Sequence, residues 1–346
     1  MKGEPIALEL EEELVIDTEK QDIAGRGLGD VRKFDVDSQG NIYLFQMPRE
    51  GAHLVFKFNP AGGFVKSFGK VGQGPGEIQF PFYQRINRRD EIIIWDSGAL
   101  KYVAFDAQGT IIRETRLELK MYPLGGPLFL ENGGFLTRET GTSEGARAYD
   151  VSVSLYDAGF KKLRELCKYQ LLDPQEADKI NAYPDFPVIG ISATRIYVGK
   201  IAAGYEISGY DLDGNLVRKM RKKYQPVRVQ ESLKTEIFAE LGNHPFRNKF
   251  YFPEEMPAFQ FFFVDDEERL YVATSEKSAD GQNICDILNR DGIFIARKAL
   301  GFYDLLRAVW QGRELDIIAK RGRLYCLREK DSGYKELAVF RMSWVD

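Results

Sequence analysis

Residues 41–45 read NIYLF and residues 58–63 read FNPAGG, and both phrases return along the chain. The first is a strand-like run that follows a turn. The second is an aromatic residue or Leu, then Asp or Asn, then a short turn with Gly. Two strand–turn signals in each period of about 50 residues predict a β-propeller. Further copies of the first phrase begin at Glu91, Gly134, Arg195, Arg269 and Arg323, and those of the second begin at Phe105, Tyr156, Tyr210 and Leu288, with turn glycines at Gly109, Gly159, Gly214 and Gly292.

Each period predicts four antiparallel strands. Asp or Asn followed by Gly is typical of a tight hairpin turn, because Gly adopts a positive φ without a Cβ penalty. In the first period the pattern places strands at 32–37, 41–46, 54–59 and 64–68. Later blades are predicted at about 82–117, 126–166, 187–220 and 259–300, and from about 315 onward.

The sixth period lacks one strand. It contains RLYCL at Arg323 and ends with Leu337–Trp344, and no hairpin phrase follows. Near the N-terminus, Ile6, Leu8 and Leu10 alternate with small or charged residues, which is the pattern of a half-buried strand. We therefore predict one all-β domain over residues 1–346, a six-bladed β-propeller with four-stranded antiparallel blades. Its N-terminal strand is expected to pair with the last blade, beside 337–342, and so to protect an open edge.

Composition excludes several classes of protein. The net charge of −4 gives no basic field for nucleic acid. The three cysteines show no C-x-x-C spacing, so Cys285 and Cys326 are expected to be buried small hydrophobic residues. No apolar run reaches the roughly 20 residues that span a bilayer. The N-terminus has no secretory apolar segment, which fits both a cytosolic start and an exported chain without its signal.

Three connections between blades are longer than the others, and each joins an outer strand to the next inner strand. Strand direction alternates within a blade, so all three are expected at the same mouth of the central channel. Loops on a rigid scaffold are where binding concentrates. The three connections span 170–186, 222–258 and 301–312.

Two of the connections have apolar spacing that is typical of a helix. In the longest, Leu233, Ile237 and Leu241 predict a helix of about ten residues, with Ser232 as its N-cap and Gly242 as its end. Short helical stretches are also expected within 170–186 and at 305–310.

Arginine and aromatic residues lie just before the inner strands and in the longest connection. Together they suit recognition of a carboxylate, a sugar or a peptide. The alternative is that the arginines form ion pairs around the channel, and that Phe246 and Trp310 only hold the inserted loops in place. The candidate ligand-binding residues are Arg32, Tyr83, Arg85, His244, Arg247, Gln260, Trp310 and Arg313.

Residues 64–81 read FVKSFGKVGQGPGEIQFP, and this segment resembles one that joins blades in bacterial six-bladed β-propeller proteins of the NHL-repeat type. The resemblance is strongest over residues 32–117. It implies a propeller that is exported or lipid-anchored and has no defined role. The GQGPGE stretch lacks the Lys-Ser/Thr pair of a P-loop and no helix is predicted after it, so it is predicted to be a structural turn.

The same resemblance implies two enzyme classes, namely lyases whose channel metal is held by histidines and sugar-lactone hydrolases that use calcium. The chain has only two histidines, His53 and His244, whereas a catalytic zinc site needs about three protein ligands. The sequence therefore favours a non-catalytic, monomeric, extracytoplasmic binding or scaffold propeller. We expect no metal or cofactor, a peptide, protein or carbohydrate partner, no nucleic acid and no integral membrane segment. A channel-metal lyase or lactone hydrolase is the alternative.

Overall fold

The computed structural model describes residues 7–116, 127–140, 148–183, 185–300 and 317–345. The strands form six four-stranded antiparallel sheets, which confirms the predicted all-β six-bladed propeller. By their contacts these residues fall into two compact units. One lies within Met1–Lys120, Gly125–Glu131 and Phe302–Asp346, and the other within Met121–Leu124 and Asn132–Gly301. The single domain over residues 1–346 stays a prediction.

The first unit contains three complete sheets and one short helix. Its elements are β1 Ala7–Asp17, α1 Gln21–Ala24, β2 Val31–Val36, β3 Ile42–Gln46, β4 His53–Phe58, β5 Phe64–Lys70, β6 Pro81–Ile86, β7 Ile92–Asp96, β8 Lys101–Phe105, β9 Ile111–Arg116, β10 Leu128–Phe129, β24 Ile317–Lys320, β25 Arg323–Glu329 and β26 Lys335–Val345. The sheet orders are β2-β3-β4-β5, β6-β7-β8-β9 and β1-β26-β25-β24.

The N-terminal strand completes the last of these sheets, as predicted. β1 pairs antiparallel with β26 from Ala7 opposite Val345 to Asp17 opposite Glu336. Leu8 and Ile16 are buried on this strand. The strand extends beyond the predicted end at Leu10, because a register shift between Glu12 and Leu14 returns apolar side chains to the core side.

The second unit contains the remaining sheets and the longest insertion. Its elements are β11 Phe135–Thr140, β12 Ala148–Tyr156, β13 Lys162–Leu172, β14 Ile180–Asn181, β15 Pro187–Ile191, β16 Ile196–Lys200, β17 Glu206–Tyr210, β18 Leu216–Arg221, α2 Glu231–Leu241, β19 Phe250–Tyr251, β20 Phe259–Val264, β21 Leu270–Lys277, β22 Asn283–Leu288 and β23 Phe294–Leu300, with 3-10 turns at Ile201–Ala203 and Arg247–Lys249. Within this unit the strand orders are β11-β12-β13, β15-β16-β17-β18, β20-β21-β22-β23 and the two-stranded β14-β19.

The hairpin phrase folds for the same local reason in all five copies. Its Asp or Asn side chain accepts two backbone N–H bonds from the residues two and four positions later. These bonds measure 2.7–3.1 Å at Asn59, Asp106, Asp157, Asp211 and Asn289. In the third copy Phe160, and not Gly159, has the positive φ, at 64°.

Apolar residues of neighbouring sheets pack into shared cores within each unit. In the first unit, one cluster joins Ile16 and Leu337 to Val36 and Phe58. In the second unit, Tyr197 and Ile207 pack with Phe259, Phe262 and Val272. The repeated spacing of the strand phrases therefore provides the apolar faces that bury one blade against the next.

The insertions differ in part from the prediction. α2 confirms the helix, and Gly242 ends it with φ +46°. Its N-cap is Gln230, so Ser232 was the wrong cap, and Ser232 lies inside the first turn. Residues 173–183 form a turn and β14 instead of a helix, with the Ala177 amide donating to the Asp173 carbonyl at 2.8 Å. The predicted helix at 305–310 lies outside the described residues.

Candidate functional site

The connection between β18 and β20 folds into a compact structure of its own. In α2, Ile237 is buried and Leu233 and Leu241 are half-buried, which places the predicted apolar spacing against the protein. At the base of the connection, the Met256 amide donates to the Val227 carbonyl at 2.7 Å, and the Val229 amide donates to the Glu254 carbonyl at 3.0 Å. The two ends of the insertion are thus joined by backbone hydrogen bonds.

A second connection holds the insertion from the side. β14 pairs in parallel with β19, and the Ala182 amide donates to the Tyr251 carbonyl at 2.8 Å. The Lys249 ammonium donates to the carbonyls of Pro174 and Gln175 at 3.0 and 2.8 Å. Two of the three predicted long connections therefore form one folded element within the second unit.

Aromatic rings and cations cluster on this element. The Arg247 guanidinium lies 5.3 Å from the Phe238 ring, and its Nε donates to the Phe238 carbonyl at 3.2 Å. The Lys249 ammonium lies 5.4 Å from the Phe246 ring, and the His244 ring lies 5.8 Å from the same ring. These contacts fix the side chains with cation–π and edge-to-face geometry.

Much of this cluster remains accessible to solvent. His244, Arg247 and Tyr251 are exposed, whereas Phe246 and Lys249 are half-buried. We call these five residues the insert surface. Beneath it Phe252 contacts the rings of Phe238 and Tyr183, at 5.4 and 6.3 Å between ring centroids.

The structure brings together two of the predicted ligand residues, His244 and Arg247, on the insert surface. The Arg247 amide donates to the His244 carbonyl at 3.0 Å, which closes the turn that carries both side chains. Sequence reasoning missed Lys249 and Tyr251. Their signal was the aromatic and basic run KFYF at 249–252, within a connection that otherwise reads as a polar linker.

Gln260 is buried and lies at a register shift in β20 between Phe259 and Phe261. Its Nε2 donates to Ser275 Oγ at 3.3 Å, and the Ser275 hydroxyl donates to the Pro257 carbonyl at 2.6 Å. Gln260 Oε1 has no hydrogen-bond partner among the described residues. Gln260 thus fastens the end of the insertion to β21, beneath the surface.

In the first unit, Arg32 lies at the corresponding register shift of β2. It forms an exposed ion pair with Asp30 at 2.7 Å. Tyr83 is buried in β6, with the Lys33 ammonium 5.7 Å from its ring, and Arg85 lies opposite Ile93 in β7. Trp310 and Arg313 lie outside the described residues.

The glycine-rich GQGPGE segment is a structural turn, as predicted. Two glutamate carboxylates of the protein accept hydrogen bonds from backbone amides of this segment. The Gly74 amide donates to Glu77 Oε2 at 2.8 Å, and the Gly76 amide donates to Glu114. Gly76 has φ +73°, and a Cβ there would collide with Ile111. These bonds occupy two donors that an anion would require.

The histidines and cysteines occupy separate environments. His53 Nδ1 lies 2.7 Å from Ser67 Oγ within the first unit, and His244 belongs to the insert surface. Cys285 and Cys326 are buried, as predicted. Burial raises the pKa of the Cys285 thiol to about 12, so it is not a nucleophile at neutral pH. Within the described residues, no three His, Cys, Asp or Glu side chains form a group that could hold a metal ion.

Among the described elements, neither helix has the length or apolar composition that crossing a membrane requires.

Comparisons with known proteins agree on the fold. The family model described as a 6-bladed beta-propeller matches residues 29–169, which is less than half of the chain. A candidate exported protein from Bacteroides fragilis is similar in structure, with 14% identity, a TM-score of 0.55, and coverage of 97% of this chain and 95% of that chain. A member of the duf4221 family from Bacteroides vulgatus is similar with 12% identity, a TM-score of 0.54, and coverage of 98% and 99%. No curated protein matches the sequence. At these identities the likeness shows the fold alone, and the NHL-repeat type stays a prediction.

Proposed function

We propose that this protein is a non-catalytic binding propeller and that its partner, a peptide, protein or glycan, docks on the insert surface. The observation that supports this proposal is the grouping of exposed His244, Arg247 and Tyr251 with half-buried Phe246 and Lys249 on a folded insertion. Exposed aromatic and arginine side chains on a fixed backbone are typical of binding hot spots, because they bury a large area at low entropic cost.

The charge of the insert surface favours a partner with acidic or polar groups. Arg247 and Lys249 are cations, and each has an aromatic ring on one side. A ring on one side of a cation restricts its motion, so a bound carboxylate or hydroxyl would order it at a smaller entropic cost. Flat sugar faces and peptide aromatic side chains stack on rings such as Tyr251, which is 44% exposed.

The same function is proposed separately for the candidates of the first unit. Arg32 is exposed and its partner Asp30 is also exposed, so the pair can open at little cost to contact an anionic group. Arg85 is half-buried in β6. Tyr83 is buried, so we assign it the support of neighbouring side chains and not direct contact. Trp310 and Arg313 stay candidates from the sequence.

We also propose an extracytoplasmic location. The support is the similarity to a candidate exported protein from Bacteroides fragilis, together with the sequence resemblance to exported propellers. A partner at that location would be a surface peptide, protein or glycan. The net charge of −4 disfavours nucleic acid.

The experiment is a screen of a glycan array and a displayed peptide library, followed by affinity measurements on variants. Arg247→Ala should weaken binding of the selected ligand by about tenfold, since a charge-assisted hydrogen bond contributes roughly 1.5–3 kcal/mol. Tyr251→Ala should weaken it by a similar factor, since it removes the exposed ring on which the ligand stacks. Asp211→Ala, in a hairpin turn, is the control and should leave the affinity unchanged. Each variant must melt within a few degrees of the parent.

A ligand that binds Tyr251→Ala and Arg247→Ala with parental affinity would contradict the assignment to the insert surface. Treatment with a chelator tests the alternative that the protein is a metal-dependent enzyme. Binding and melting temperature are expected to be unchanged after chelation, and a loss restored by calcium or zinc would instead support the metal-dependent class.

A further inference from the structure

A cleft lies in the second unit at the other end of the sheet β15-β16-β17-β18, away from the insertion. Its volume is about 290 Å³, which includes space open to solvent. Three arginines line it: Arg195 from the turn before β16, Arg218 from β18, and Arg290 from the turn between β22 and β23. Tyr197 and Gly209 also line it, and we call this feature the arginine cleft.

The Tyr197 side chain is a buried donor without a partner. The residue is 3% exposed, and its hydroxyl has no hydrogen-bond partner among the described residues. Burial, and next the charge of Glu268, raise the pKa of Tyr197 to about 12, while Arg195, Arg290 and Arg218 act in the opposite direction. The three arginines line the same cleft as this side chain, whose hydroxyl remains protonated at neutral pH.

The cations of the cleft are only partly neutralised by the protein. Arg218 donates to the Asp291 carbonyl and lies 3.4 Å from the Asp291 carboxylate. Glu268 accepts hydrogen bonds from the hydroxyls of Ser192, at 2.7 Å, and Thr194, at 2.5 Å. Within the described residues, neither Arg195 nor Arg290 has a carboxylate within salt-bridge distance. Three positive and two negative side chains leave an excess of positive charge around a buried donor.

We propose that the arginine cleft binds a polyatomic oxyanion, phosphate or sulfate, either free or as the ester group of a larger ligand. Guanidinium groups present paired N–H donors that match the oxygens of such groups. Arg195 and Tyr197 lie at the start of β16, and Arg290 lies in the turn between β22 and β23, so donors from two neighbouring blades line the cleft, which suits the several acceptor oxygens of a tetrahedral anion. A single carboxylate has only two oxygens and would leave part of this donor set unused.

This site is independent of the insert surface, and its ligand class is narrower. The insert surface offers rings and cations on a folded insertion, whereas the arginine cleft offers hydrogen-bond donors from three arginines and a buried tyrosine. Gly209 lies beside the Tyr197 ring, and a Cβ at that position would be 3.5 Å from it, in ordinary contact.

The test is calorimetric titration of the full chain with sodium phosphate and sodium sulfate, against sodium acetate and sodium chloride at matched ionic strength. We expect saturable binding of phosphate or sulfate at one site, with acetate much weaker. Arg195→Ala and Arg290→Ala should each weaken binding about tenfold or more. Tyr197→Phe, which keeps the buried ring, should weaken it by a few-fold.

Arg89→Ala is the matched control. Arg89 is an exposed arginine in the turn between β6 and β7, which corresponds to the turn of Arg195. It should bind phosphate like the parent. A sugar phosphate that binds more tightly than inorganic phosphate assigns the cleft to an ester, and the reverse order assigns it to the free ion.

Three results would overturn the proposal. These are no saturable binding of phosphate or sulfate to the parent, parental affinity in both Arg195→Ala and Arg290→Ala, or an equal loss in Arg89→Ala. Melting temperatures measured without the anion identify any variant that is unfolded. If the arginine variants are unfolded, the phosphate affinity of Tyr197→Phe is the deciding measurement, since this change removes one hydroxyl and leaves the core packing in place.

Discussion

The insert surface and the arginine cleft lie at opposite ends of the same four-stranded sheet, and they are built in opposite ways. The insert surface comes from one stretch, 244–251, which is held by 173–183 through short backbone contacts. The arginine cleft combines residues at 195, 218 and 290, which meet only when two blades fold side by side. Local order therefore creates the first surface, and strand register creates the second.

The positively charged side chains of the two regions also have different neighbours. On the insert surface, Arg247 and Lys249 each lie against an aromatic ring and donate to backbone carbonyls. In the arginine cleft the cations line the same space as Tyr197, whose hydroxyl has no hydrogen-bond partner among the described residues. The first arrangement suits a broad partner with rings and polar groups, and the second suits a small anion.

The largest effect is expected from a deletion that opens the last sheet of the first unit, in contrast to local changes in either region. Deletion of residues 1–16 takes away nearly all of β1, including buried Leu8 and Ile16, and exposes the edge of β26. Unpaired edges and apolar side chains promote aggregation. We expect insoluble or strongly destabilised protein by sedimentation and thermal melting. A soluble truncated chain with an unchanged melting temperature would contradict the role of β1.

An intermediate effect is expected from a substitution beneath α2, which should weaken the insert surface and leave the arginine cleft unchanged. Ile237→Ala removes a side chain that is 3% exposed beneath α2, and loss of a buried Ile costs about 2–5 kcal/mol. We expect faster amide exchange across α2 and weaker binding at the insert surface, while phosphate binding in the arginine cleft is retained. Glu236→Ala, on the exposed side of the same helix, is the control. Unchanged exchange in Ile237→Ala would show that the insertion is held mainly by its other contacts.

The smallest effect is expected from a substitution that narrows the arginine cleft and leaves the insertion unchanged. Gly209 lies within β17, and an added methyl group would make ordinary contact with the Tyr197 ring at 3.5 Å. Gly209→Ala should keep or slightly raise the melting temperature, because it restricts the unfolded chain. Calorimetry should show phosphate affinity falling by a few-fold. Unchanged affinity would place the anion away from Gly209.

The sequence predicted the sheets well because their signals are local. Each Asp or Asn of the hairpin phrase forms its turn with residues two and four positions away, so Asp106 and Asp211 are recognisable without the rest of the protein. The N-terminal strand was also predictable, since its alternation matched the strand that the last blade lacked. Its length was not, because the register shift after Glu12 depends on the pairing with β26.

The candidate site was predicted only in part. His244 and Arg247 were found because they lie in a long insertion, where aromatic and basic residues are conspicuous. The burial of Tyr83 and Gln260 was not foreseen, because exposure depends on how neighbouring strands and side chains pack. Arg195 and Arg290 were passed over, because each is a single charged residue in a short turn.

By itself the sequence determined the repeat, the six four-stranded blades, the role of the N-terminal strand and the helix within the longest insertion. These features depend on turn chemistry and on apolar periodicity over a few residues. The tertiary structure alone decided which side chains lie on the insert surface and which arginines line the cleft beside Tyr197. Such groupings require residues that are far apart in the chain to meet, and they are set by the register and packing of whole sheets.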